Sequence, residues 1–173
     1  MTPSHLREIL RDMTPPQSFE EVRTAVRQLL LEADLDLPVP GRGETRTRFR
    51  LLAELGGFDL SVAKLVESHC DALAILAEAG LKAEPGIYGV WASKFGGRQL
   101  LGEKDRIRDV WNIAGDVAFA SGIDLIDWSL MPVKTEVGEF LFSIPRSAVL
   151  EASIDKSRWH TPGMRDSNTA WVR

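Results

Sequence analysis

Apolar residues recur every three or four positions through roughly the first eighty residues, which is the period of amphipathic α-helices. Thr2-Pro3 has the cap and first-turn residues of a helix start, and this first helix is predicted to end near Met13. Ser18 begins a capping-box pattern ahead of a second apolar stripe. These signals predict two short helices separated by prolines.

Two further helices are predicted in the same region. The third covers about residues 44–55 and is predicted to stop at Gly56-Gly57, a plausible left-handed end. Asp59 or Ser61 would cap the fourth, which ends at Gly80. The first part of the chain is therefore expected to be a bundle of about four helices.

The pattern changes after Gly86, where short aromatic and β-branched runs alternate with turn residues. The predicted strands cover residues 87–93, 110–113, 116–121, 125–133, 140–144 and 149–154. Helices followed by strands predict an α+β fold in which the bundle precedes an antiparallel β-barrel-like or sandwich domain. The predicted division is a helical domain at residues 1–84 and an incomplete β domain at residues 85–173, with the change from helix to strand between Gly80 and Ile87.

Composition narrows the class of protein. A net charge of −4 argues against nucleic acid as the main partner, because phosphate binding needs clustered lysines and arginines. The one basic run, from Arg42 to Arg50, contains acidic residues and is interpreted as a solvated helix face. A single cysteine excludes an intrachain disulfide, and no apolar run approaches the roughly 20 residues of a membrane span. A cytoplasmic protein without membrane contacts is the default interpretation.

Isolated candidate residues favour structural roles. His69 lies on the apolar stripe of the fourth helix and is interpreted as a core histidine. Cys70 follows it and points about 100° away around the helix, so the two cannot form a nucleophile–base pair. The three histidines lack metal-ligand spacing, and Gly96-Gly97-Arg98 lacks the lysine of a phosphate-binding loop and is interpreted as a turn.

Five short segments acquire meaning when they are taken together. In chain order they are Asp59-Leu60-Ser61 with Glu67 and His69, Tyr88-Gly89-Val90-Trp91-Ala92-Ser93, Ile113-Ala114-Gly115, Phe119-Ala120-Ser121-Gly122, and Trp159 with Gly163-Met164-Arg165-Asp166-Ser167. In that order and spacing they resemble the first half of an acyl-CoA dehydrogenase, a flavin enzyme. The resemblance covers roughly residues 40–173.

The resemblance implies that FAD lies against two segments of the β domain. The residues at those positions are Tyr88, Val90, Trp91, Ala92, Ser93, Phe119, Ala120 and Ser121. A flavin ring needs a flat apolar wall and hydrogen-bond donors that stabilise charge as it accepts hydride. Phe119 or Tyr88 would supply the wall, while the Ser121 or Ser93 hydroxyl and the backbone amides of residues 90–92 would supply donors. We expect Trp91, Phe119 and Ser121 on neighbouring strands facing one concave surface, with Phe119 and Ser121 on the same face by alternation.

The resemblance also implies a reaction, the α,β-desaturation of an acyl-CoA or similar thioester. Trp91 and Ala92 stand where the family commonly has Thr and Glu, and residues 99–109 are unusually charged for this position. The family's glutamate base comes from a C-terminal domain, expected here beyond residue 173. We therefore expect this chain alone to bind FAD weakly, to show no desaturase activity, and to form a homo-oligomer or join a complementary subunit. The alternatives are a non-catalytic remnant or partner subunit, and a flavin monooxygenase on the same fold.

Overall fold

The computed structural model describes all 173 residues, which form two compact units. The first, called the helical unit, contains Met1–Pro85 and His160–Asn168. The second, called the β unit, contains Gly86–Trp159 and Thr169–Arg173. The helices are α1 (Pro3–Asp12), α2 (Phe19–Arg27, continued by a π-helical turn at Gln28–Glu32), α3 (Thr45–Phe58) and α4 (Leu60–Glu78). The strands are β1 (Tyr88–Val90), β2 (Leu100–Asp105), β3 (Val110–Gly115), β4 (Val117–Ala120), β5 (Trp128–Thr135), β6 (Gly138–Pro145), β7 (Ile154–Asp155) and β8 (Ala170–Val172). The α+β class and the position of the change from helix to strand are confirmed.

The helix starts follow their capping residues. The Ser18 hydroxyl accepts a hydrogen bond from the Glu21 amide at 3.4 Å, and the Asp59 carboxylate accepts one from the Val62 amide at 2.9 Å. The predicted end of α3 at Gly56-Gly57 is wrong, because neither glycine has a positive φ and the helix continues to Phe58. The chain turns at Asp59, whose extended backbone has a φ of −162°. One aspartate therefore separates α3 from α4.

The longest helix, α4, forms the centre of the helical unit and packs against α2 and α3. Its buried apolar face includes Val62, Leu65 and Val66. Arg48 of α3 is also buried, which corrects its assignment to a solvated helix face. Its guanidinium pairs with the Asp71 carboxylate and donates to the Pro38 carbonyl at 3.0 Å. Arg48 therefore links α3 to α4 and to the segment that connects α2 with α3. A buried guanidinium needs these partners because burying it unpaired would be costly.

The β unit contains two sheets. In the larger sheet, one edge of β5 pairs with β6. The other edge of β5 pairs with β1 along the first half of β5 and with β2 along its second half. Both of the latter pairings are parallel, so the sheet is mixed rather than wholly antiparallel. The smaller sheet has the order β4-β8-β7 and is antiparallel. Side chains of both sheets line a largely apolar cavity of about 480 Å³.

Two strands were not expected from the sequence, and one expected strand is mostly absent. The strand β2 carries the charged run Glu103-Lys104-Asp105, but Leu100 and Gly102 face inward and the strand forms a hairpin with β3. The strand β8 occupies the centre of the smaller sheet. The region predicted as a strand at 149–154 instead contains a 3-10 turn at Glu151–Ser153, with strand pairing beginning only at Ile154. The strands β2 and β8 form because they pair with other segments of the chain, which their own sequence pattern does not reveal.

Two glycines provide a test of the backbone. Gly115 has a φ of 129°, and a Cβ there would overlap the Gln99 carbonyl oxygen, whereas Gly57 is helical with open space around it. Gly115→Ala is expected to lower the free energy of unfolding by at least about 2 kcal/mol, because backbone strain adds to the overlap. Gly57→Ala is expected to raise it by roughly 0.5–1 kcal/mol. Urea denaturation of both variants measures the two changes in the free energy of unfolding. Equal changes would contradict the positive φ of Gly115 and the helical conformation of Gly57.

Candidate functional site

Two distant segments of the β unit meet at the Trp91 side chain. Its indole Nε1–H donates to the Ser121 carbonyl at 2.9 Å, and its backbone amide donates to the Leu130 carbonyl at 2.9 Å. Only 2% of Trp91 is exposed. The expectation of neighbouring strands is wrong, because β1 belongs to the larger sheet and β4 to the smaller. The two segments are joined by a side-chain hydrogen bond instead of a β-ladder.

Phe119 has an unusual backbone. Its φ is +63°, a left-handed conformation that is rare and costly for an aromatic residue. The register of β4 against β8 shifts between Val117 and Ala120, and the Ser121 amide donates to the Phe119 carbonyl at 2.9 Å. This irregularity breaks the alternation that we expected to place Phe119 and Ser121 on one face. Strain of this kind is maintained by surrounding contacts and is often found at functional sites.

The Phe119 ring is the centre of an aromatic cluster, formed by Phe95, Phe119, Trp159 and Trp171. Its centroid lies 5.2 Å from that of Phe95, 6.2 Å from that of Trp159 and 5.1 Å from that of Trp171. The contacts are tilted or edge-on, a favourable geometry for aromatic pairs. Phe95 is 58% exposed, so the cluster runs from the interior to the surface of the β unit. Phe119 therefore packs against three aromatic rings in its left-handed conformation.

Polar groups lie beside this cluster. The Thr169 hydroxyl donates to the Ser121 hydroxyl oxygen at 2.9 Å, which leaves the Ser121 proton available to another acceptor. The backbone N–H groups of Ala92 and Ser93 have no hydrogen-bond acceptor in the protein. The Ser93 hydroxyl accepts from the Phe95 amide at 3.3 Å. The site thus combines apolar rings with one hydroxyl donor and two backbone donors.

The other residues expected at the site are less accessible. Tyr88 is buried and stacks on Trp128 with 6.2 Å between ring centroids. Ala120 is buried and pairs with Ala170, and Val90 is half-buried at the end of β1. The side chains of Tyr88 and Ala120 are therefore closed to a ligand.

Three residues beside the site were not predicted from the sequence, and they are Phe95, Thr169 and Trp171. Thr169 contacts Ser121 across 48 positions, and Trp171 reaches Phe119 from β8. The only signal for this segment was the short apolar run from Ala170 to Val172, preceded by polar residues. A run of that length is too short to identify a strand by periodicity.

Two adjacent reactive side chains of α4, His69 and Cys70, are buried. Burial lowers the pKa of His69, which disfavours its charged form, and burial raises the pKa of the Cys70 thiol to about 12. No group of three or more histidine, cysteine or acidic side chains is arranged to hold a metal ion. These two residues are core components, as expected of His69.

Solved structures provide a comparison for this fold. XiaF from Streptomyces sp., in complex with FADH2 and glycerol, has a TM-score of 0.65 and 16% identity over 98% of this chain and 48% of its own. The HsaA monooxygenase from M. tuberculosis has a TM-score of 0.61 and 16% identity over 99% of this chain and 52% of its own. An acyl-CoA dehydrogenase from Bacillus anthracis complexed with FAD has a TM-score of 0.56 and 13% identity over 98% and 31%. No protein-family model and no curated protein matches the chain.

The chain therefore has the fold found in XiaF, in the HsaA monooxygenase and in the acyl-CoA dehydrogenase from Bacillus anthracis. It spans about half the length of XiaF and HsaA. At these identities the similarity establishes the fold alone. None of the helices is sufficiently long and apolar to cross a membrane.

The Trp91–Ser121 hydrogen bond can be tested by a matched pair of substitutions. Trp91→Phe removes the indole donor and leaves the Ser121 carbonyl buried without it, so the free energy of unfolding is expected to fall by about 1–3 kcal/mol. Trp111→Phe, at a residue that is 38% exposed, is expected to cost no more than about 1 kcal/mol. Urea denaturation followed by circular dichroism measures both. Equal losses would contradict a special role for the Trp91 indole.

Cys70 offers a second test. Thiolate is the nucleophilic form of cysteine, and both burial and the raised pKa disfavour it in the native state. At pH 8 a disulfide reagent is expected to leave the folded protein unmodified and to label one thiol per chain after unfolding in urea. Because Cys70 is the only cysteine, the unfolded sample is an internal control. Rapid complete labelling of the folded protein would show that this part of α4 is open.

Proposed function

We propose that this chain supplies the helical unit and the flavin-binding β unit of a flavin-dependent monooxygenase with the acyl-CoA dehydrogenase fold. The observation that carries the proposal is the Trp91–Ser121 hydrogen bond, which brings two predicted flavin-contacting segments together. The similarity to XiaF with FADH2 and to the HsaA monooxygenase supports a monooxygenase reaction that uses a reduced flavin.

The donor set of the site fits a flavin. An isoalloxazine ring presents an extended apolar face and, at one edge, a nitrogen and a carbonyl that accept hydrogen bonds. The Phe119 ring offers an apolar wall. The rings of Phe95 and Trp171 pack against it in tilted or edge-on contacts. The Ser121 hydroxyl and the unpaired N–H groups of Ala92 and Ser93 are donors of the kind needed at that edge. We therefore assign flavin contact to Phe119, Ser121 and the 92–93 backbone.

The roles of these residues follow from their chemistry. When bound, a reduced flavin supplies the electrons that activate dioxygen for transfer of one oxygen atom to a substrate. The Ser121 hydroxyl, oriented by Thr169, would donate a hydrogen bond to the ring edge and stabilise negative charge there. The aromatic cluster would exclude water from the same edge, which strengthens that hydrogen bond.

A second candidate function is the desaturation of an acyl thioester. It is favoured by the five segments that resemble acyl-CoA dehydrogenases and by the similarity to the Bacillus anthracis enzyme with FAD. That reaction needs a carboxylate base near the substrate α-carbon. The aromatic cluster and its donors contain no carboxylate, so the base would come from outside the site described here. A homo-oligomer or a complementary subunit is the arrangement we propose for completing either site.

The flavin assignment is tested by binding to the 173-residue chain. Quenching of riboflavin fluorescence should reveal weak, saturable binding. Ser121→Ala is expected to raise the dissociation constant about tenfold, because a charge-stabilising donor is lost. Phe119→Leu should raise it several-fold through lost ring contact. Ser143→Ala, at an exposed serine of β6, is the matched control and should bind as the parent does. Unchanged affinity in both site variants would refute the assignment.

The two enzymatic alternatives are separated by what reduces the bound flavin. Acyl-CoA thioesters of several lengths, added without oxygen to the oxidised flavoprotein, should leave the flavin absorbance unchanged if the protein is a monooxygenase. Bleaching by a thioester would support the dehydrogenase instead. Failure to bind flavin at all would support a non-catalytic subunit.

A further inference from the structure

A basic cavity of about 290 Å³ lies in the β unit beside the aromatic cluster. Its lining residues are Arg98, Asp116, Arg158, Trp171, Val172 and Arg173. Three of these six residues carry guanidinium groups, and only one carries a carboxylate. The chain as a whole has a net charge of −4, so this concentration of positive charge is not a consequence of composition.

The three arginines have no carboxylate within ion-pair distance, although other arginines of the chain, such as Arg48 and Arg146, do. Arg98 donates to the Phe95 carbonyl at 3.0 Å, and the Arg158 guanidinium lies 4.9 Å from the Trp171 ring centroid. Such contacts orient a planar guanidinium but leave most of its N–H groups free. The arginines are thus positioned without being neutralised.

Two acidic residues face this region. Asp116 lines the cavity. The pKa of Asp155 is lowered mainly by hydrogen bonds from Ser157, and the nearby charges of Arg158 and Arg173 lower it further. Asp155 is already engaged with Ser157, whose hydroxyl and amide both donate to its carboxylate. Among the side chains of this region, three guanidinium groups therefore face two carboxylates.

The Trp171 indole provides independent evidence for a ligand, because its N–H group lacks a hydrogen-bond acceptor. Trp171 is 7% exposed and its Nε1–H is buried without an acceptor. Buried polar groups are nearly always hydrogen-bonded, so an orphaned donor beside an arginine-lined cavity indicates an acceptor that is not part of the protein. An oxyanion satisfies both the indole donor and the guanidinium groups.

We propose that this cavity binds a phosphate-type oxyanion. Guanidinium groups match phosphate oxygens with paired, charge-assisted hydrogen bonds, and fixed arginines lose little freedom on binding. Two sources share this chemistry, the phosphate of a flavin nucleotide and a free phosphate or phosphate ester. Arg98 and Arg158 each contact a ring that touches Phe119, the residue assigned to flavin contact. Binding of a flavin phosphate therefore rests on the proposed function, whereas binding of a free phosphate or phosphate ester is independent of it.

The site is tested by titrating inorganic phosphate into 15N-labelled protein at low ionic strength while the five tryptophan indole N–H signals are observed. Trp171→Phe identifies the relevant signal. We expect a saturable shift of that signal, with a dissociation constant at least about tenfold higher in Arg158→Ala and in Arg98→Ala. Arg108→Ala removes the same charge from an exposed arginine of the β2–β3 hairpin and should leave the titration unchanged. Arg158→Lys keeps the charge and should bind phosphate with intermediate affinity.

A comparison of riboflavin with FMN distinguishes the two sources. Tighter binding of FMN, lost in Arg98→Ala and Arg158→Ala, identifies the flavin phosphate as the occupant. Equal affinity for FMN and riboflavin, together with arginine-dependent phosphate binding, identifies a free oxyanion. If neither flavin binds but phosphate does, the proposed function fails and the oxyanion site stands. If phosphate gives no saturable shift and FMN binds no tighter than riboflavin, the oxyanion site is refuted.

Discussion

The hydrogen bond from the Trp91 indole to the Ser121 carbonyl is the interaction on which the β unit's site depends. It crosses from the end of β1, in the larger sheet, to the end of β4, in the smaller, and it lies in the interior where no water competes for the acceptor. A backbone ladder could not make this connection, because the two strands belong to different sheets. A long side chain with one donor at its end can do so, and tryptophan has that shape.

Once this link is made, the local irregularity at Phe119 becomes tolerable. A left-handed aromatic residue costs about 1–3 kcal/mol, and ring contacts with Phe95, Trp159 and Trp171 help to offset that cost. Two positions further along the chain, the Ser121 hydroxyl accepts a hydrogen bond from Thr169. The strained aromatic residue and the oriented hydroxyl therefore lie close together in the chain at the end of β4.

The surroundings of this site divide into an apolar and a basic part. Phe95 and Trp171 contact Phe119, and the guanidinium groups of Arg98 and Arg158 lie against the same two rings. A ligand with a flat apolar portion and an anionic portion is complementary to such an arrangement. In the helical unit, His69, Cys70 and Arg48 are buried and form part of its core.

The sequence by itself determined the elements whose signals are local. Ser18 and Asp59 set helix starts, the apolar stripe set α4, and the change of period near Gly80 set the boundary between helices and strands, because capping and periodicity involve residues a few positions apart. It also located the two segments that meet at Trp91. Only the tertiary structure decided that α3 runs through Gly56-Gly57, that β5 pairs in parallel, and that Thr169 and Trp171 join Ser121 and Phe119. These features depend on contacts between residues tens of positions apart, which no local pattern encodes.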